Sequence, residues 1–282
     1  MFFYSMNHQE VLDKLPERRQ DAHKGNFGRI LLLCGSRGYT GAAALAAIGA
    51  LRSGAGLVYL GVPESIYPIE AVKLTEPIVF PLPEVEGMLS TEAVIHIDKM
   101  LPKMDAVLIG PGLGQSSGTI EVLDAVLSKA NCPVVIDADG INLLASHKDI
   151  LRGRQAPSII TPHMGEFLRL GGRSDLERAS AAAEMAVDLG VTVLLKGHKT
   201  VITDGVSCCL NPTGNPGMAV GGSGDVLAGM IVSLLGQGLS ALDAAACGAW
   251  LHGAAGDICA KELGQYGMLP SDMLHVIPRL MK

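Results

Sequence analysis

The stretch Ile30-Leu-Leu-Leu-Cys34-Gly-Ser-Arg-Gly-Tyr-Thr-Gly41-Ala-Ala-Ala-Leu-Ala-Ala-Ile-Gly-Ala-Leu51 decides the fold class. Its leucine-rich run reads as a strand, its glycines as a tight connection, and its small apolar residues as a helix able to lie close against a sheet. The unit recurs. Strand-like runs at 30–34, 57–61, 106–109, 134–136, 158–160 and 191–195 alternate with helical patterns at 41–53, 91–100, 119–129, 175–189, 222–235, 241–263 and 270–281. Such alternation is the signature of repeated βα units and a mostly parallel sheet. A hairpin at 200–203 and 206–210, turned by Asp204-Gly205, interrupts it.

In open α/β sheets ligands bind outside the carboxyl ends of the strands, and the chemically suggestive residues gather there. Gly35–Gly41 follows the first strand but lacks both the dinucleotide fingerprint and the P-loop Lys-Ser/Thr, leaving a packing turn or a backbone phosphate site. In Asp137-Ala-Asp139, Asp137 ends the fourth strand at the rim and suits the water shell of Mg2+, while Asp139 can cap the following helix. Thr161-Pro-His163-Met-Gly-Glu166 sets a histidine and a carboxylate three apart at a helix start. Glu166 can hold hydrated Mg2+ and His163 a substrate carboxamide or phosphate, or Thr161 and Glu166 form a capping box. Lys196-Gly197-His198-Lys199-Thr200 offers cations for nucleotide phosphates or merely a solvated loop.

Asn215-Pro-Gly-Met-Ala-Val-Gly-Gly222-Ser223-Gly224-Asp225 closes the set by placing an acid behind a glycine-dense turn that opens an apolar helix. Backbone N–H groups and the helix dipole converge at such a turn, so it reads as an anion hole with an adjacent base. A tight connection with Asp225 as a first-turn acid is the plainer reading of the same residues.

Composition narrows the partners. With 282 residues, 48% of them apolar, one large α/β domain over 1–282 is expected, led by a polar segment at 1–25. A net charge of −6 without a basic run excludes an electrostatic footprint for nucleic acid. No apolar run approaches the ~20 residues that span a bilayer, and polar residues follow Met1-Phe-Phe-Tyr4 too closely for a signal peptide. A cytoplasmic protein with six reduced cysteines is the expectation.

Taken in order, Lys24-Gly-Asn-Phe-Gly28-Arg, Gly35-Ser-Arg-Gly-Tyr-Thr-Gly-Ala42, Gly110-Pro-Gly-Leu-Gly114, Asp137-Ala-Asp-Gly-Ile-Asn142, Thr161-Pro-His-Met-Gly-Glu166, Lys196-Gly and Gly221-Gly-Ser-Gly-Asp225 closely resemble the ADP- or ATP-dependent NAD(P)H-hydrate dehydratases of the ribokinase-like superfamily. The resemblance covers residues 20–280. It implies a three-layer αβα sandwich with a β-hairpin near the nucleotide site. It also implies a lyase that restores hydrated NADH or NADPH, NADHX and NADPHX, at the expense of ADP or ATP with Mg2+. Ala42, Gly114, His163 and Asp225 resemble the family's contacts to the hydrate. Lys196 to Thr200, Gly222, Ser223 and Gly224 resemble its nucleotide contacts, with Asp225 as the catalytic base. A homo-oligomer, tetrameric by resemblance, and a separate epimerase are further implications. Val220 departs from the polar residue that family chains often carry before this glycine turn. A small-molecule kinase of the same superfamily and a noncatalytic nucleotide sensor are the alternatives, since base, anion hole and metal would look alike.

Overall fold

The computed structural model describes residues 2–282; Met1, first residue of the expected polar segment, lies outside them. Its first half runs β1 (Phe2–Tyr4), α1 (His8–Lys14), β2 (Arg29–Leu33), α2 (Thr40–Arg52), β3 (Leu57–Pro63), α3 (Tyr67–Lys73), β4 (Ile78–Leu82), β5 (Glu84–Val85), β6 (Met88–Leu89), α4 (Ala93–Met100), β7 (Ala106–Ile109) and α5 (Ser117–Lys129). Then come β8 (Val134–Ile136), α6 (Asp139–Leu144), α7 (Asp149–Arg152), β9 (Ser158–Ile160), α8 (Met164–Arg169), α9 (Arg178–Leu189) and β10 (Thr192–Leu195). The hairpin β11 (Val201–Thr203) and β12 (Ser207–Leu210) precedes α10 (Ser223–Gly236), α11 (Ala241–Leu263) and α12 (Pro270–Leu280).

Ten strands form one sheet in the order β1-β12-β11-β10-β9-β8-β7-β2-β3-β4, and β5 and β6 form a separate ribbon. Within the large sheet only β11 runs antiparallel to its neighbours. Side chains alternate across it: Ile30 and Leu32 enter a core shared with α2, α10, α11 and α12, whereas Leu31 and Leu33 enter one shared with α4, α5 and α9. The result is the expected three layers, helix on sheet on helix.

Within the polar segment, residues 2–4 and 8–14 are built into this body. Phe2–Tyr4 pairs with β12 at the sheet edge, and α1 carries an Asn7/Glu10 capping box with Val11 fully buried. Strand β4 escaped the sequence reading because Pro81 lies inside it; on an edge the missing N–H breaks no ladder. The six-residue helices α6 and α8 are too short to show a helical period.

Strand order reverses between β2 and β7: the chain leaves β2 toward β3 and β4, then returns to the other side at β7. The connections after these strands go to opposite faces, opening the crevice where such sheets bind ligands. They are zipped together by Gly35 N donating to Pro111 O at 2.8 Å and Ser36 Oγ to Gly112 O at 2.8 Å.

Helix α10 reaches this crevice by lying backbone to backbone on α2. A Cβ on Gly229 would stand 2.1 Å from the Ala46 carbonyl oxygen, and one on Gly49 2.8 Å from that of Val226. Gly229→Ala is therefore expected to lower the unfolding free energy by ~3 kcal/mol. Gly153→Ala, where nothing lies within 4 Å, is expected to leave it unchanged. Urea denaturation of both variants checks the contrast.

Candidate active site

Asp225 stands in the first turn of α10, behind a turn built from backbone donors. Gly222 caps the helix at φ 96°, a left-handed conformation that side chains resist. No side chain caps α10, and among the described residues the amides of Gly224 and Asp225 meet no acceptor within the chain. Free N–H groups at the start of a 14-residue helix form an anion cradle.

A charged cluster from three neighbouring strand ends faces that cradle. Asp137 follows β8 and is 1% exposed. Its Oδ1 accepts from Thr161 Oγ1, just past β9, at 2.7 Å and from Lys196 Nζ, just past β10, at 2.8 Å. Lys196 Nζ also lies 3.9 Å from Glu166 Oε2. A Cβ on Gly224 would sit 3.4 Å from Lys196 Nζ and 3.9 Å from Asp137 Oδ2, so the cluster borders the cradle directly.

Burial pushes the Asp225 carboxyl up, Asp137 repels its charge further, and Lys196 pulls back, leaving it at about 6. Burial opposes the Lys196 ammonium, yet Asp137, Glu166 and Asp225 together outweigh it and hold its pKa above the usual value. Lys196 is thus not the solvated loop cation the sequence allowed, but the counter-ion of a buried acid.

The expected magnesium carboxylates fit that ion only through water. Among the described residues no three His, Cys, Asp or Glu side chains gather as ligands, and Asp137 and Glu166 already share the Lys196 ammonium. Asp137 Oδ2, which accepts no hydrogen bond within the chain and faces Gly224, remains available to a hydrated cation.

The capping box at 161–166 belongs to His163, not Thr161. His163 Nδ1 accepts from Glu166 N at 3.2 Å and Glu166 Oε2 from His163 N at 2.9 Å. The imidazole stays 56% exposed and can still meet a ligand. Ala42, in the first turn of α2, and the Gly110–Gly114 turn meet in the β2/β7 crevice, where a Cβ on Gly112 would lie 2.9 Å from that of Ala42.

Asp139 was read as a helix cap, but its Oδ2 accepts from Gly114 N at 2.9 Å and its Oδ1 from Gln115 Nε2 at 3.2 Å. Ala138 makes this possible at φ 50° and ψ −116°, a conformation that costs a non-glycine residue about 1–3 kcal/mol. The reversal turns Asp137 toward Lys196 and Asp139 toward Gly114. The loop from Gly197 to Thr200 is held by Arg178, whose Nη1 donates to His198 O at 2.7 Å and Nη2 to Leu195 O at 3.2 Å. Nothing in the local pattern around Arg178 or Ala138 announces these roles, since both depend on contacts distant in sequence.

A family profile described as NAD(P)H-hydrate dehydratase matches residues 30–279. The bifunctional NAD(P)H-hydrate repair enzyme Nnr of Moorella thermoacetica is 44% identical over 276 residues, covering 95% of this chain and 52% of that protein. The chain thus spans about half the length of that enzyme. Among solved structures, the ADP/ATP-dependent NAD(P)H-hydrate dehydratase from Bacillus subtilis, co-crystallised with ATP/Mg2+, is 34% identical with a TM-score of 0.82, covering 97% of this chain and 96% of that one. A ribokinase-like superfamily protein from Enterococcus faecalis is 28% identical with a TM-score of 0.88, covering 99% and 95%. The fold is ribokinase-like.

The raised Asp225 carboxyl has a consequence for stability. Between its ordinary 3.8 and about 6 the folded chain keeps a proton that the unfolded chain has lost, so stability falls as pH rises through that window. Asp225→Asn is expected to raise the unfolding free energy by ~1–3 kcal/mol at neutral pH, with the gain shrinking toward zero near pH 4. Urea titrations of both proteins at the two pH values test this.

Proposed function

The chain belongs to the NAD(P)H-hydrate dehydratase family, and from that premise we propose that it uses an adenine nucleotide to dehydrate NADHX or NADPHX back to the reduced dinucleotide. The observation that carries this reading is the single placement of a half-buried carboxylate of raised pKa, Asp225, beside two unpaired amides at a helix start. A general base near neutrality and an anion hole are the parts phosphoryl transfer needs.

Hydroxide is a poor leaving group at neutral pH, so the hydrate hydroxyl must be activated. Asp225 takes the hydroxyl proton as that oxygen bonds the terminal phosphorus of ADP or ATP and the bridging P–O bond breaks. The Gly224 and Asp225 amides hold the equatorial oxygens. The C6–O bond then breaks with phosphate leaving, a proton departs from C5, and the ring double bond returns. With ADP the products are reduced dinucleotide, AMP and phosphate. Asp137, with Glu166 behind Lys196, would hold hydrated Mg2+, which would supply neutralising charge there.

Support for the two ligand regions differs in kind. Ala42 and Gly114 border the β2/β7 crevice and suit the hydrate, with the exposed His163 ring two strand ends further along the sheet, whereas Gly197 to Thr200 offer a braced backbone to the nucleotide. Lys196 acts on the base and the phosphoryl group rather than as a loop contact.

Asp225→Asn is expected to retain nucleotide binding while turnover falls by ~10²–10⁴-fold, measured as returning 340 nm absorbance from synthetic hydrate with ADP or ATP. Accumulation of a stable phosphorylated alcohol by the parent would instead point to a kinase. The kcat/KM of the parent should fall about tenfold per unit below pH 6. Because Lys196 lowers the Asp225 pKa, Lys196→Met should move that acid limb to higher pH; an unmoved limb would remove Lys196 from contact with the base.

A further inference from the structure

Helix α11, rich in Ala and Gly, carries His252 and Asp257, which its sequence His252-Gly-Ala-Ala-Gly-Asp257 sets on adjoining turns. That face receives the connection from β12 to α10 at Asn211, Thr213, Gly214, Asn215 and Met218. Asn211 Nδ2 donates to Ala249 O at 3.1 Å and Thr213 Oγ1 to Trp250 O at 2.9 Å. Close approach needs the glycines: a Cβ on Gly253 would lie 2.2 Å from Thr213 Oγ1 and one on Gly256 2.4 Å from Met218 Sδ.

Two side chains then grip the connection at its ends. Asp257 Oδ2 accepts from Gly214 N at 2.9 Å and its Oδ1 from Asn215 Nδ2 at 2.9 Å. Asn215 in turn accepts from Gly217 N at 3.0 Å through Oδ1. His252, 6% exposed, places Nε2 3.5 Å from Ser223 Oγ at the first residue of α10. Burial pushes its pKa down to about 4, so near neutral pH the ring is uncharged, with one donor and one acceptor.

We infer that α11 is the template on which the phosphoryl cradle is shaped, with Asp257 and His252 as its positioning residues. The inference rests on the function proposed above. Gly221 and Gly222 give the connection conformational freedom, and amides aimed at a transferring phosphoryl group lose their effect if displaced by about 1 Å. Asp257 removes that freedom at the Asn215 end. His252 removes it at Ser223, whose neighbours Gly224 and Asp225 carry the free amides and the base. Neither side chain is assigned contact with a ligand.

Asp257→Asn, on an exposed side chain, and His252→Leu separate positioning from mere stability, with His252→Gln as the conservative partner that keeps an amide donor and acceptor. Turnover of synthetic hydrate, ADP affinity by calorimetry and thermal unfolding are read on each. The inference expects Asp257→Asn and His252→Leu to lower kcat by ~10²-fold, with ADP Kd changed by no more than about threefold and folding intact, and His252→Gln to recover most of the loss. It is overturned if both variants keep kcat within about twofold of the parent, or if lost turnover only tracks lost folded protein and Gln restores nothing. If His252→Leu unfolds, Asp257→Asn decides alone. An inactive parent would refute the proposed function instead, whereas an active parent with fully active variants refutes only the template.

Discussion

The structure turns on one buried ion pair, Lys196 Nζ on Asp137 Oδ1 at 2.8 Å. A carboxylate with 1% of its surface exposed must be paired or neutralised. Three strand ends meet that demand together. The register that sets Ile136 beside Ile160 brings Asp137 next to Thr161, and Lys196 N donating to Pro162 O at 2.8 Å draws the next strand end alongside. Removing one partner of such a pair costs about 3–5 kcal/mol because the other charge stays behind. The same pair sets the chemistry, since Asp137 raises and Lys196 lowers the pKa of Asp225.

That electrostatic centre matters only because α10 is delivered to it. The helix has no capping side chain, so its N-terminus is an unsatisfied donor site by design of the turn before it. Gly229 against Ala46 and Gly49 against Val226 fix its distance from α2, and α2 in turn begins beside the crevice loops. Asp225 and Ala42 are therefore tied by one backbone contact between two helices, and the Gly197–Thr200 loop is held by Arg178 reaching over from α9.

The sequence carried the layers and the strand-end loops because each is a local matter. Apolar runs and glycine turns show strands 106–109, 134–136 and 158–160 with the bounds found in the structure. Asp225 was visible for the same reason, as glycines, acid and helix are contiguous. What escaped was set by partners far along the chain. Lys196 reads as a loop lysine until Asp137, 59 residues earlier, is seen beneath it. Asp139 reads as a cap until Gly114 claims it, and Thr161 as a capping residue until its hydroxyl turns to Asp137. His252 and Asp257 sit in a helix whose pattern announces only close packing. Edge strands β1 and β4 lie where pairing on one side suffices, so their sequences need not follow the rule of buried strands.

All of these parts serve one claim, that the hydrate hydroxyl becomes a phosphate ester before it leaves. An oxygen label follows that event directly. Synthetic hydrate carrying 18O at the C6 hydroxyl, turned over with unlabelled nucleotide, should deliver its label to inorganic phosphate, one atom per reduced dinucleotide formed, because the bond broken last is C6–O. Label appearing in water, with phosphate carrying only unlabelled oxygen, would mean that hydroxide leaves without phosphorylation and would contradict the account.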